Sequence, residues 1–360
     1  MRFDIVVGNP PYQVSDGGGT GDSAKPIYHH YINIVKKLKM EIKSFSLIIP
    51  SRWMKGGKGL DCFRKEMIED TRIKIIYDYE NANECFYRVH IDGGICYFIW
   101  DSKYNGKVSY YYKPKDENRN YSKRYLKTDY CDTVIRDYRQ ASIIEKTSYG
   151  LKFNSIVSAR NPYSIESELF YSLEKYEDLN TINEDSNKFK IYGVYGKKGG
   201  AKRVVAFIPK HKLKNNQIID DYKLFFSKAY MTTSTIPPEI IIGKPNEIST
   251  ETFLKIGSFK DDTEADNCLK YVKSKFFRAL LFYNRHSLNI SKESFNLIPL
   301  QDFTSNSDIN WSKSTTKLDK EANEKYECST INEIDAMLYK KYGLEKEEVQ
   351  FIEKTIKPMK

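Results

Sequence analysis

The chain has 360 residues, 58 basic against 48 acidic for a net charge of +10, with 40% hydrophobic and 29% charged residues. That length can bury more than one core, and the composition excludes a disordered or fibrous chain, while the excess of base suits a polyanionic partner. Six scattered cysteines without disulfide or metal-ligand spacing point to a reducing compartment, and no apolar run reaches membrane-spanning length, so a cytoplasmic protein with no membrane partner and no metal is expected.

The first predicted element is a short buried strand over Ile5 to Val7, ended by Gly8 and followed by Asn9-Pro10-Pro11-Tyr12. Each proline fixes its own φ and pushes the preceding residue to an extended shape. A stiff loop at the carboxyl end of a strand results, where open α/β sheets place ligands. Its chemistry suits an exocyclic amine on a base, a poor nucleophile because its lone pair is shared with the ring. The Asn9 side-chain carbonyl and the Pro10 backbone carbonyl can accept the two amine hydrogens and draw the nitrogen toward tetrahedral geometry. Pro10 has no N–H to oppose them. Tyr12 can stack on a base taken out of the duplex.

Ser15 to Ser23, with Gly17-Gly18-Gly19 and Gly21, lacks the spacing of a phosphate loop and reads as a flexible loop over the site. Pro26 suits the first turn of a helix with Ile27, Tyr31, Ile34, Val35 and Leu38 on its apolar face. His29 and His30 are adjacent, point apart on a helix and read as surface or packing residues. Ser44 to Ile49 is the next strand, ended by Pro50. Arg52 and Trp53 follow, either near a target base or, for Trp53, covering a core edge. Lys55 and Lys58 flank Gly56-Gly57 in a turn that can touch phosphate. Leu60, Phe63 and Met67 give the next helix its apolar stripe.

Strands are predicted at Arg72 to Tyr77 and at Ile91 to Trp100, the latter bent at Gly93-Gly94. Cys96 reads as a small core residue. Val108 to Tyr112 is expected to pair with Ile91 to Trp100 through the Asn105-Gly106 turn. Lys113 to Tyr130 interleaves Tyr121, Arg124, Tyr125 and Tyr130 with basic residues; it can stack on bases, but reads first as a linker. From about Leu151 short strands replace strand–helix alternation: Lys190 to Tyr195, Val204 to Ile208 and Glu239 to Ile242. Between the first two, Gly196 to Arg203 is a basic, glycine-rich hairpin tip. Lys197, Lys198, Lys202 and Arg203 are its candidates for a base edge or phosphate, against the alternative of a solvated turn. Thr232 to Thr235 is a second polar loop. One helix is expected from Asp262 or Thr263 to Tyr283, then a final pair, Ile331 to Tyr342 and Lys346 to Ile356, broken at Gly343.

The Asn9-Pro10-Pro11-Tyr12 loop after a strand resembles motif IV of the amino-group DNA methyltransferases, adenine-N6 branch. Ile49 to Trp53 with Gly56 to Arg64, then Ile91 to Phe98, then Ile298 to Phe303 extend the resemblance, in order, to the methyltransferases of restriction–modification systems. It implies an α/β fold: a partial Rossmann-like class I methyltransferase sheet followed by an α+β target-recognition domain. The implied division is residues 1–130, the C-terminal half of the catalytic domain; 131–310, the target-recognition domain; and 311–360, a helical segment. The implied reaction is site-specific methyl transfer from S-adenosyl-L-methionine to the N6 amine of adenine in double-stranded DNA. Asn9, Pro10, Pro11 and Tyr12 would be catalytic. Arg52, Trp53, Lys55, Lys58, Lys197, Lys198, Lys202 and Arg203 would contact DNA.

The family holds its donor with a Phe-x-Gly-x-Gly turn and a later acidic residue, and in this branch both precede the loop. Only eight residues precede Asn9, so no cofactor-binding residue is assigned. The chain is expected to be a fragment, a late start or one half of a split enzyme, with a companion polypeptide carrying the cofactor half, or a restriction endonuclease, as partner. A non-enzymatic DNA-recognition subunit is the alternative. A nuclease is not expected, since triplets such as Glu41-Ile42-Lys43 arise by chance among 48 acids and 58 bases.

Overall fold

Alternating β-branched and aromatic residues build the sheet that carries the loop. In the computed structural model the described residues are 4–14, 25–37, 42–89, 91–171, 187–195, 202–210, 219–229, 234–237, 240–284, 289–311 and 320–359. They form two compact units, Met1–Ser142 and Ile143–Lys360. The first unit runs β1 (Ile5–Gly8), β2 (Gln13–Val14), β3 (Lys25–Pro26), α1 (Tyr28–Lys37), β4 (Ser44–Pro50), α2 (Asp61–Glu69), β5 (Ile73–Tyr79), β6 (Ile95–Asp101), β7 (Val108–Lys113) and β8 (Asn120–Arg124).

Six of these strands make one mixed sheet in the order β1-β4-β6-β5-β7-β8. Gly8 of β1 lies beside Leu47 of parallel β4, which brings both carboxyl ends to one edge. On one face of the sheet Phe45, Leu47, Ile49, Phe98, Trp100, Ile76 and Tyr110 are buried, together with Tyr28 and Ile32 of α1 and Phe63 and Met67 of α2. Each such side chain contributes about 1.5–3 kcal/mol of burial. Cys96 is buried in this core, as expected. The other face carries a row of tyrosines, Tyr97, Tyr77, Tyr111 and Tyr121, one from each of four neighbouring strands. Adjacent rings lie 4.9, 4.5 and 4.9 Å apart.

Several expectations change. β1 is not buried, since Ile5 and Val7 are 65% and 76% exposed, and the strand expected from Ile91 begins at Ile95, after Gly93-Gly94. Ile95–Asp101 and Val108–Lys113 do not pair; β5 lies between them, antiparallel to β6 and parallel to β7. The Asn105-Gly106 turn is real, but it carries the chain past β5 rather than closing a hairpin. The segment read as a linker contains β8, antiparallel to β7, with Tyr121 closing the tyrosine row. On α1 the buried stripe is Tyr28 and Ile32 with partly buried Val35, whereas Tyr31 and Ile34 are exposed. The Ser15–Ser23 loop lies outside the described residues.

α3 (Tyr138–Thr147) spans the division. In the second unit β9 (Lys188–Tyr195) and β10 (Lys202–Pro209) form the expected antiparallel hairpin. Its tip, with Lys197 and Lys198, lies outside the described residues, as do Thr232 and Thr233. β11 (Tyr222–Ser227) sits between β12 (Ile240–Gly243) and β14 (Phe253–Phe259), while β13 (Glu247–Ser249) joins β9 in parallel. The single long helix expected after Asp262 is two, α4 (Asp262–Lys273) and α5 (Lys275–Asn284), divided at Ser274, whose ψ of 149° is extended. Asp261 caps α4 by accepting from the Glu264 N–H at 3.0 Å. α6 (Lys320–Lys341) supplies a cap for α5: the buried Asp335 accepts from the backbone N–H groups of Lys275 and Phe276. Burial pushes that carboxyl up to about 6 against these two hydrogen bonds. α7 (Lys346–Thr355) ends the fold. No helix among the described residues is long and apolar enough to cross a membrane.

Candidate active site

The sequence places Gly8 and two prolines where β1 must stop, and the chain then turns across the carboxyl ends of β1 and β4. Asn9, Pro10, Pro11, Tyr12 and Gln13, with Pro50 from the end of β4, line an open cleft of about 480 Å³. Ligand pockets commonly span about 300–1,000 Å³. Asn9 and Pro11 are exposed, Pro10 and Tyr12 half-buried. The loop is tied down behind: the Tyr12 carbonyl accepts from Ile27 N–H at 3.0 Å, and β2 pairs with β3. Burial, with the Cys96 and Cys85 thiols nearby, pushes the Tyr12 phenol up to about 12, opposed by the adjacent Asn9 side chain. It is therefore a neutral, apolar-faced ring at pH 7. Its hydroxyl oxygen is buried and lies near Asn9, but makes no hydrogen bond of good geometry.

Behind the loop, Tyr28 Oη, Arg52 Nε and Trp53 Nε1 are also buried without a hydrogen-bond partner. Such atoms are rare in folded proteins. Trp53 itself is 0% exposed and packs on Phe63 at 6.0 Å between centroids. It is a core residue, so the expectation that it contacts DNA is withdrawn in favour of its core-edge alternative. Arg52 is half-buried, and Lys55 and Lys58 are exposed. Surrounding protein and the Arg136 charge lower the Lys55 ammonium pKa, with Glu80 and Asp78 opposing. Gly56 has φ +80°, and a Cβ there would lie 1.6 Å from Arg64 Nη1, which donates to Asp61 at 2.6 Å and to the Lys55 carbonyl at 3.1 Å. The turn that presents Lys55 and Lys58 is thus held by Arg64 and requires glycine.

His29 and His30 do not point apart; their rings lie 3.9 Å from each other, and burial followed by the His30 charge lowers the His29 pKa. In the second unit Lys202 and Arg203 are exposed on β10, with the Arg203 guanidinium 5.9 Å from the Phe253 ring centroid.

Sequence reasoning missed the support beneath this edge of the sheet. Asp78, fully buried on β5, accepts from Ser51 Oγ at 2.7 Å, Tyr110 Oη at 2.8 Å, and Arg136 Nε and Nη2 at 2.5 and 2.6 Å. Arg136 Nη1 donates to the Gly93 carbonyl at 2.8 Å, and Ser51 N–H to the Gly94 carbonyl at 3.0 Å. A Cβ on Gly94 would meet the Tyr79 carbonyl at 2.0 Å, so only glycine fits. A lone carboxylate inside the apolar run Ile75-Ile76-Tyr77-Asp78 was the signal available.

Comparison with known proteins bears on this edge first. Residues 1–86 match the Eco57I restriction-modification methylase family. The Eco57I-like segment holds both the cleft and the Lys55–Lys58 turn. A protein of Mycoplasma pneumoniae described as an uncharacterized adenine-specific methylase is 38% identical over 110 residues, covering 30% of this chain and 26% of that protein. The chain therefore spans about a quarter of the length of the curated relative it matches. Among solved structures, the Type IIL restriction-modification enzyme MmeI in complex with DNA covers 98% of this chain at 10% identity, with a TM-score of 0.44 and 56% of its own length matched. A DrdV–DNA complex covers 82% at 10% identity and a TM-score of 0.30, over 43% of its length. The resemblance to adenine methyltransferases of restriction–modification systems is borne out over residues 1–86.

Proposed function

We propose that the chain is the base-binding part of a DNA methyltransferase that modifies the N6 amine of adenine within a restriction–modification system. One observation carries this reading: the Asn9–Tyr12 loop, at the carboxyl end of a strand inside the Eco57I-like segment, opens onto a cleft of about 480 Å³. An extruded adenine stacks on Tyr12. Its amine donates one hydrogen to the Asn9 side-chain carbonyl and one to the Pro10 carbonyl, which localises the lone pair for in-line attack. Orientation supplies most of the acceleration. Arg52, Lys55, Lys58, Lys202 and Arg203 are the proposed contacts to DNA in the described residues.

Enzymes of this family use S-adenosylmethionine, which supplies an electrophilic methyl. The cleft does not fit that donor by itself, because its six lining residues include no carboxylate for a ribose and no glycine for close approach. A companion polypeptide segment is therefore part of the proposal. The edge of β1 supports it: among the described residues only β4 pairs with β1, and Ile5 and Val7 are 65% and 76% exposed. A bare apolar edge is what an added strand would cover.

The test uses genomic DNA free of adenine methylation, S-adenosylmethionine, and the chain with and without a donor-binding segment. Asn9→Ala should lower N6-methyladenine formation at least about 100-fold with DNA binding retained. Unchanged methylation by this variant would remove Asn9 from the mechanism. Calorimetry on the chain alone separates the second reading: DNA binding without S-adenosylmethionine binding, and no methylation on adding the segment, identifies a recognition subunit.

A further inference from the structure

The Asn9–Tyr12 loop forms one wall of the cleft and Pro50 the other, and the two are built differently. The loop is stiffened by its own prolines. The Pro50 side depends on distant residues, because the chain leaves β4 there and enters the one-turn helix Ser51–Met54. The polar ties of Ser51, at the start of this turn, lead to one buried centre. Ser51 Oγ donates to Asp78, and Ser51 N–H donates to the carbonyl of Gly94. Arg136 grips Asp78 through two nitrogens and the Gly93 carbonyl through the third. The Arg136 side chain is 12% exposed and that of Asp78 is 0% exposed. Two residues before Arg136, Val134 N–H donates to the Met54 carbonyl at 2.9 Å. The segment after β8 therefore holds the turn at both ends, Ser51 through Asp78 and Met54 directly.

We propose that Arg136 and Asp78 are positioning residues that fix the Pro50–Arg52 turn and so hold Pro50 as the rigid wall against which the extruded base is held. The proposal rests on the reading of the cleft as a base site and adds residues that do not touch the base. A bidentate guanidinium–carboxylate pair has one geometry, so the turn it carries has one position. A lysine at 136 keeps the charge and loses the fork. Stretches 50–53 and 91–95, far apart in the chain, thus converge with Asp78 and Arg136 on the wall opposite the Asn9–Tyr12 loop, and the double glycine at 93–94 supplies the two carbonyls that complete it.

Hydrogen exchange and steady-state kinetics on the full chain test this together. In Arg136→Lys, the amides of Ser51, Lys55 and Gly56 should exchange about tenfold faster, while those of β6 and β7 keep their wild-type rates. With donor-binding segment, DNA and S-adenosylmethionine present, kcat should fall about tenfold or more at unchanged KM for DNA. Ser51→Ala, which leaves the ion pair whole, should give a smaller change in the same amides and the same kcat direction; it keeps the test open if Arg136→Lys folds poorly. A uniform rise in exchange across the sheet, or a faster turn with wild-type kcat, would overturn the positioning role. A wild-type chain that never methylates would instead remove the base-site reading, whatever the exchange rates.

Discussion

Two buried carboxylates stand at opposite ends of β5 and share a chemistry but not a consequence. Asp78, near its carboxyl end, holds Arg136, Tyr110 and Ser51; Asp70, before its start, holds Arg72 at 2.7 Å, Lys36 at 2.8 Å and the Trp100 indole at 3.0 Å. Both are nearly sealed from solvent, and both tie elements of one sheet together. The first supports the turn beside the cleft, and the second supports α1 and β6 at the other end of the strands. A buried ion pair is weak evidence for stability by itself. Its place in the sheet decides whether losing it is felt in chemistry or only in folding.

Asp70→Asn is the sharpest way to break that comparison. Burial raises the Asp70 carboxyl, but hydrogen bonds from Arg72 and Lys36, the Lys36 charge and the Trp100 indole outweigh it and hold it at about 2. A depressed carboxylate contributes stability above its unfolded value near 4, lost as pH falls toward 2; the full contribution is about 2 kcal/mol. Urea unfolding of the wild type should therefore weaken between about pH 4 and 2, and Asp70→Asn should be weaker at pH 7 without that slope. Exchange at Ser51 and kcat should match the wild type. A collapse of kcat in folded Asp70→Asn would erase the distinction between the two ends.

The tyrosine row offers a milder contrast, since it lies on the face opposite the packed core. Tyr111→Leu breaks the stack at its closest pair, 4.5 Å and 7° from Tyr77, and should cost about 0.5–1.5 kcal/mol in chemical denaturation with methylation unaffected. The smallest expected effect is at the β9–β10 hairpin. Lys202→Ala should weaken duplex binding alike across sequences and reduce the log–log salt slope by about 0.9. A loss confined to one sequence would make Lys202 a base reader instead.

The part of the site legible in the sequence was the part whose chemistry is local. Gly8, Pro10 and Pro11 dictate their own backbone, so the loop and its place after a strand needed no tertiary information. Strand order did need it: β5 slips between β6 and β7 although the turn between them reads as a hairpin. β8 was hidden because Tyr121 and Lys123 face outward and give the stretch a linker's composition. β11 was hidden because Lys223 looks like a surface residue, yet it is 0% exposed and donates to the carbonyls of Ile219 and Asp221. The Ser274 break interrupts no apolar period; Ser274 Oγ accepts from the Phe277 N–H at 3.1 Å, and Asp335, sixty residues beyond Lys275, accepts from the two N–H groups before it, so a second helix starts there. Arg136 was passed over for the same reason, as its partner lies 58 positions earlier.

Among the described residues nothing covers the outer flank of β1, and this also governs how the protein behaves in a tube. Its outer amides and carbonyls, beside Ile5 and Val7, would pair with the same flank of another molecule as readily as with a proper neighbour. Concentrating the chain unaccompanied favours clumping, and co-purification with whatever zips onto that flank should keep it dispersed.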